Sequence, residues 1–131
     1  MAVAIWTFFD YVSPAGVNEI GEWYSALLLE EQEVFEAFWP NLAKMQKIEM
    51  PYAKMLSGRQ YSGLFELIFT AGEKQHRVLA MYGPSGTRYT VTMLLGCTHK
   101  QKVYKPADAF DTAMKRMGAL KSGQATATLH V

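Results

Sequence analysis

Cysteine is nearly missing from this chain: Cys97 stands alone in 131 residues, and there are only three histidines. A single cysteine excludes an internal disulfide and any zinc site built from cysteines, and such sparing use suits a reducing cytosol. Long apolar runs are missing too, since none approaches the roughly 18 residues that a spanning helix needs. The opening stretch, residues 1–9, is apolar but short, has no basic flank and meets Asp10 at once, unlike a secretory leader. A soluble, cytoplasmic protein without a membrane partner is the expectation. The sequence also has no phosphate-cradling glycine loop, no serine elbow and no metal-ligand spacing, so it calls for no cofactor and no metal. Internal repeats and low-complexity segments are absent. What is present is core material: 50% of residues are hydrophobic and 13% aromatic, which excludes general disorder. A chain of this length is one domain that buries roughly two-thirds of its unfolded surface.

Net charge is only +1, but it is unevenly spread. Residues 1–50 hold two lysines against eight acids, a balance of −6, and residues 51–131 hold eleven basic residues against four acids, a balance of +7. Folding can turn this asymmetry into one acidic and one basic surface, the latter suited to a phosphate-bearing partner. The plainer reading is that exposed helices happen to be acidic and exposed strands basic. Glu31 and Glu33 are assigned to the exposed acidic face.

Ile5–Val12 alternates aromatic and β-branched residues and predicts an opening strand, broken by Ser13-Pro14-Ala15-Gly16. Val17–Leu29 carries Val17, Ile20, Tyr24, Leu27 and Leu28 at helical spacing. A second helical stretch begins near Glu30, with Val34, Phe35, Phe38, Leu42, Met45 and Ile48 on one face and Pro40 expected to kink or break it. Pro51–Tyr61 reads as a connector. Leu64–Thr70, Gln75–Tyr82 and Arg88–Thr98 read as strands, separated by the hairpin-like breakers Ala71-Gly72-Glu73 and Gly83-Pro84-Ser85-Gly86. A last amphipathic helix is predicted over Pro106–Leu120, with early acids and later bases as its dipole prefers. Residues 122–131 read as a flexible, frayed tail beyond a domain spanning residues 1–121. The fold class is α+β: a twisted antiparallel sheet with an N-terminal strand, two helices, a three-strand meander and a C-terminal helix, one sheet face being left available.

The densest chemistry lies in His99-Lys100-Gln101-Lys102-Val103-Tyr104-Lys105, and His76-Arg77 interrupts an otherwise apolar strand. Antiparallel pairing can bring these two segments together. Such residues suit RNA cleavage without metal, which needs a base for the ribose 2′-OH, cations for the charge on phosphorus and an acid for the leaving 5′ oxygen. His, Lys and Tyr can serve as acid or base, and Arg77 as a phosphate clamp. The plain alternative is a solvated basic loop, with Arg77 partnering an acid such as Glu66. Cys97 and His99, two residues apart, share a face as a thiol–imidazole pair would, but nothing else supports a thiol enzyme.

Gly63-Leu64-Phe65-Glu66-Leu67, Gln75-His76-Arg77-Val78-Leu79 and Gly96-Cys97-Thr98-His99-Lys100-Gln101-Lys102, followed by the proline-headed helix at Pro106, resemble in order and spacing the HigB-like, phage-derived branch of the RelE toxin superfamily. The resemblance covers roughly residues 30–121. It implies a RelE-like fold and a type II toxin–antitoxin toxin: an endoribonuclease that cuts mRNA, often on the ribosome, and is held inactive by a cognate antitoxin, a small helix-turn-helix protein. It also implies that Arg77 contacts the scissile phosphate and that His99, Lys100, Lys102 and Tyr104 hold the other catalytic groups. Lys54, Arg59 and Lys105 are then nucleic-acid contacts. Two departures stand out. Ile68 follows Glu66-Leu67 where the family has arginine, and net charge is low for binding ribosomal RNA. A catalytically weak or inactive binding module of the same fold is therefore the alternative, and an unrelated α+β domain the generic one.

Overall fold

A computed structural model describes residues 4–83 and 89–131. In chain order they form β1 (Thr7–Val12), α1 (Glu19–Ser25), α2 (Leu29–Ala43), β2 (Ala53–Met55), a 3₁₀ turn (Arg59–Tyr61), β3 (Leu64–Ala71), β4 (Lys74–Tyr82), β5 (Thr90–Lys100), β6 (Val103–Lys105), α3 (Ala109–Ser122) and β7 (Thr126–Leu129). One sheet runs β2-β3-β4-β5-β1-β7, with β6 also paired to β5. The α+β class and the β3-β4-β5 meander stand as expected, and both meander pairings are antiparallel. The sheet is not purely antiparallel, however, because β1 runs parallel to β5. The chain crosses from one to the other through two helices and the whole meander.

The period-two alternation of the strands builds a core on each face. On one, Phe8, Phe65, Phe69, Val78 and Met93 meet Ile20 of α1 and Phe35 of α2; on the other, Leu64, Leu79 and Leu94 meet Ala109, Ala113 and Met117 of α3. The result is three layers, helices–sheet–helix, so the face expected to be available is partly covered. α1 lies close enough that a β-carbon at Gly96 would overlap the Trp23 indole.

Helix ends follow local chemistry. The Asn18 side chain accepts from the Gly21 N–H at 2.8 Å and caps α1, which ends at Ser25 rather than reaching Leu29. The Glu31 carboxylate accepts the Leu28 N–H at 2.9 Å at the start of α2. α2 passes through Pro40 without a break and stops at Ala43, so Met45 and Ile48 join the core from the following loop. A proline in the last turn removes one amide bond, and packing of Phe38 and Leu42 on the sheet side outweighs that loss.

Four further expectations need correction. The connector contains β2 and the 3₁₀ turn. Residues 103–105, expected as loop, pair with β5 as β6. The expected frayed tail holds β7, antiparallel to β1, and His130 beyond it is buried with Nδ1 2.8 Å from Asp10 Oδ1. Short polar residues signal no strand locally; here the open edge of β1 and the buried Asp10 carboxylate recruit them. Glu31 is buried rather than exposed, its Oε2 2.7 Å from His76 Nε2, whereas Glu33 is exposed as expected. The Pro84-Ser85-Gly86 breaker and Arg88 lie outside the described residues. Among the described residues no helix is long and apolar enough to cross a membrane.

Candidate active site

α3 covers only part of its sheet face. Beyond the first turn of α3, the alternation of β3, β4 and β5 continues with polar groups instead of leucines. Register places Ile68 opposite Arg77, Arg77 opposite Cys97, Gln75 opposite His99, and His99 opposite Tyr104. Side chains paired directly across a ladder share a face, so Glu66, Arg77, Gln75, His99 and Tyr104 assemble on one patch from four strands.

Glu66 is the centre. It is buried, 2% exposed, and its Oε1 accepts from Arg77 Nη1 while Oε2 accepts from the Tyr104 hydroxyl at 2.7 Å. The Arg77 guanidinium is then steered further, Nη2 donating to Gln75 Oε1 at 2.7 Å and lying 3.2 Å from His99 Nδ1. Arginine only donates, so this last contact requires an unprotonated Nδ1 and puts the neutral ring's proton on Nε2. The same Nδ1 lies 3.4 Å from Gln75 Oε1, an acceptor that would take a proton placed on Nδ1. His99 therefore has a partner for either protonation state. Its ring packs on Tyr104, centroids 4.5 Å apart, and Tyr104 is held from behind by Phe110 of α3 at 4.6 Å.

Burial, the hydrogen bond to Glu66 and the Glu66 charge push the Tyr104 hydroxyl well above the usual tyrosine range. It keeps its proton and donates it to Glu66, which makes it a poor base. Cys97 is buried and its thiol donates to the Arg77 carbonyl at 3.3 Å; burial and then the Glu66 charge push it up to about 12. A protonated, covered thiol is no nucleophile.

Of the residues expected to act together, Arg77, His99 and Tyr104 are brought into contact. Lys100 and Lys105 are not: they alternate with His99 and Tyr104 and point to the opposite face of the β5–β6 ribbon. Lys102 sits in the two-residue turn between these strands, where Gln101 and Lys102 take φ values of 51° and 67°. Lys54 is exposed and directly opposite Glu66 across the β2–β3 ladder. Arg59, on the 3₁₀ turn, is exposed and forms no hydrogen bond or ion pair with the cluster among the described residues.

The plain reading of Arg77 as the partner of Glu66 is thus what the geometry contains, and it also supplies the acid that the list of candidates lacked. The signal was legible: Glu66 is the one charged residue in an eight-residue strand that is otherwise apolar except for Thr70, and a carboxylate in such a place is buried only with partners. Gln75 carried no such signal. No family model, no curated protein and no solved structure matches this chain.

Proposed function

We propose that this protein is a metal-independent endoribonuclease acting on mRNA, the toxin of a type II toxin–antitoxin pair, with Glu66, Arg77 and His99 as its catalytic residues and Tyr104 as a positioning residue. The observation that supports this reading is the convergence of a carboxylate, a guanidinium and an imidazole on one sheet face. A phosphodiester oxygen competes with Glu66 for Arg77. When Arg77 turns Nη1 to the phosphate, Glu66 Oε1 loses its donor while Tyr104 still pins Oε2. The freed oxygen then takes the 2′-OH proton, the 2′ oxygen bonds to phosphorus, and the bond to the 5′ oxygen breaks. Protonated His99 gives that oxygen its proton, leaving a 2′,3′-cyclic phosphate and a 5′-OH end. The same reading brings the partners expected of such a toxin: mRNA, the ribosome, and an antitoxin of helix-turn-helix type encoded beside it.

Tightly induced expression in a bacterium, with primer extension on an abundant mRNA, tests the proposal. Growth arrest with discrete new 5′ ends is expected for the wild type. Arg77→Ala abolishes both, and Glu66→Gln or His99→Gln lowers cleavage by about 10²–10⁴-fold. Soluble wild-type protein that neither arrests growth nor cuts RNA overturns it.

One observation favours the second reading, a non-cleaving module of the same fold. Ile68, partly exposed, occupies the position directly opposite Arg77 on the polar patch, so the second cation that the family resemblance implies there is missing.

A further inference from the structure

The ribbon carries a second basic feature on its other face. A groove of about 910 Å³ runs along the open end of β4, β5 and β6, and Lys74, Lys100, Lys102 and Lys105 line it with Gln75 and His99. All four lysines are exposed, and none forms an ion pair among the described residues. Among the described residues Glu73 is the only carboxylate in the lining. Lys74 also faces the Glu31 carboxylate, while the three ammonium groups of Lys100, Lys102 and Lys105 repel one another and raise the local positive potential, which a polyanion relieves. Gln75 and His99 belong both to this groove and to the Glu66–Arg77 cluster. Lys102 marks the edge between the two faces, fixed there by a tight turn whose two central residues both take positive φ.

We propose that the lysine groove holds the phosphates of a single-stranded RNA whose path continues from the Arg77–His99 site, around the β5–β6 tip, onto the opposite face of the ribbon. The inference rests on the reading of that site given above. Single-stranded RNA is favoured over a duplex because the path turns round the end of a two-stranded ribbon. Duplexes are stiff over far longer distances, on the order of 150 base pairs for DNA. It is favoured over an acidic peptide because the groove is continuous with groups suited to a phosphodiester. The lysines are then binding residues, distant in role from proton transfer.

The test uses the whole chain with a 12-nucleotide RNA made uncleavable by 2′-O-methylation, binding being followed across salt concentrations. Each lost phosphate contact on a single strand lowers the slope of log affinity against log salt by about 0.7. The double variant Lys100→Gln/Lys105→Gln should therefore lose about 1.4 of slope, while Lys115→Gln/Lys121→Gln on α3 keeps the wild-type slope. With cleavable substrates, the groove variant should raise KM for the 12-nucleotide RNA by about tenfold. Equal slopes for wild type and groove variant overturn the proposal, as does an equal loss in the α3 variant. Displacement of the RNA by oligoglutamate at matched charge, lost in the groove variant, reassigns the groove to an acidic protein segment and overturns it too. If wild type binds with the groove-dependent slope yet cleaves nothing, the catalytic reading fails and the groove stands as a binding site.

Discussion

At the scale of single residues, Glu66 decides more than any other group in the candidate site. It converts a strand arginine from a solvent-facing cation into a steered donor, and it fixes the protonation of Tyr104. The tyrosine effect has a definite sign. A hydroxyl whose folded value is raised above its ordinary value of 10.0 stabilises the fold fully below that value, and the stability is lost as pH rises from there through the folded value. Urea titrations of wild type and Tyr104→Phe should therefore differ by a constant amount, about 1 kcal/mol for the hydrogen bond, up to about pH 10. Above that pH the gap should close. A gap that does not change between pH 9 and 11 would refute the assignment. Ile68 supplies the second prediction at this scale. Ile68→Arg places a second guanidinium opposite Arg77, and cleavage measured by primer extension should rise, by about tenfold if a single phosphate contact is added. Arg77, His99 and Tyr104 were legible in the sequence because His, Arg and Tyr are conspicuous among apolar neighbours. The part played by Glu66 was only half legible, since pairing and chemistry are alternative uses of one carboxylate until its neighbours are known.

Elements are tied to one another by buried carboxylate–imidazole contacts as well as by apolar contact. Glu31 joins α2 to His76 of β4, at 2.7 Å, although the approach is off the line of a hydrogen bond and both ring nitrogens of His76 lack such a partner. Burial raises the Glu31 carboxyl, but the Leu28 N–H, the adjoining His76 ring and the Lys74 charge outweigh burial and hold it below the ordinary glutamate value. A depressed carboxylate contributes stability above its unfolded value that is lost as pH falls through the folded one. Glu31→Gln should thus be less stable than wild type at pH 7. It should also show a shallower loss of stability below about pH 4.5, checked by chemical denaturation at a series of pH values. His130 performs a similar task for β7. Its Nδ1 meets Asp10 at 2.8 Å, and its ring stands edge-on to Trp39 with centroids 4.9 Å apart. His130→Ala should cost about 2 kcal/mol, and the amides of residues 126–129 should lose protection from hydrogen exchange while those of β4 keep theirs. Equal protection in β7 would count against the latch. The long strands and α3 were legible because their periodicity is written in consecutive residues. β6 and β7, three and four residues long, have too few positions to display a period, and pairing with a neighbour alone makes them strands.

For the molecule as a whole, the charge asymmetry of the two parts of the chain becomes only partly a spatial one, because Lys74, Lys100 and Lys105 lie on the side of the sheet that α2 covers and a β-carbon at Gly72 would stand 3.0 Å from the Glu30 carboxylate. Glu30, Glu33 and Glu36 are exposed on α2, and the groove lysines are exposed on the β5–β6 ribbon and, for Lys74, at the start of β4. Under the proposed function the exposed outer face of α2, where Glu33 lies, makes no contact with RNA. Glu33→Lys should leave RNA cleavage within about twofold of wild type, since only an exposed, screened charge changes. Glu31 is unsuitable for this reversal because it is buried against His76. A tenfold or greater change in cleavage rate would place RNA on the acidic face instead.

The amino-acid sequence by itself determined the α+β class, the opening strand, the three-strand meander, the last helix and the residues with chemistry to offer. These depend on local periodicity and side-chain type, which are properties of neighbours along the chain. Tertiary structure alone decided that β1 runs parallel to β5, that residues 126–129 close the sheet edge, and that α3 covers one face only in part. It also divided the basic segment between two faces, putting His99 and Tyr104 beside Arg77, and Lys100 and Lys105 behind them. The physical reason is that a strand presents alternate residues to opposite sides, so adjacency in sequence separates side chains, while register with a distant strand unites them.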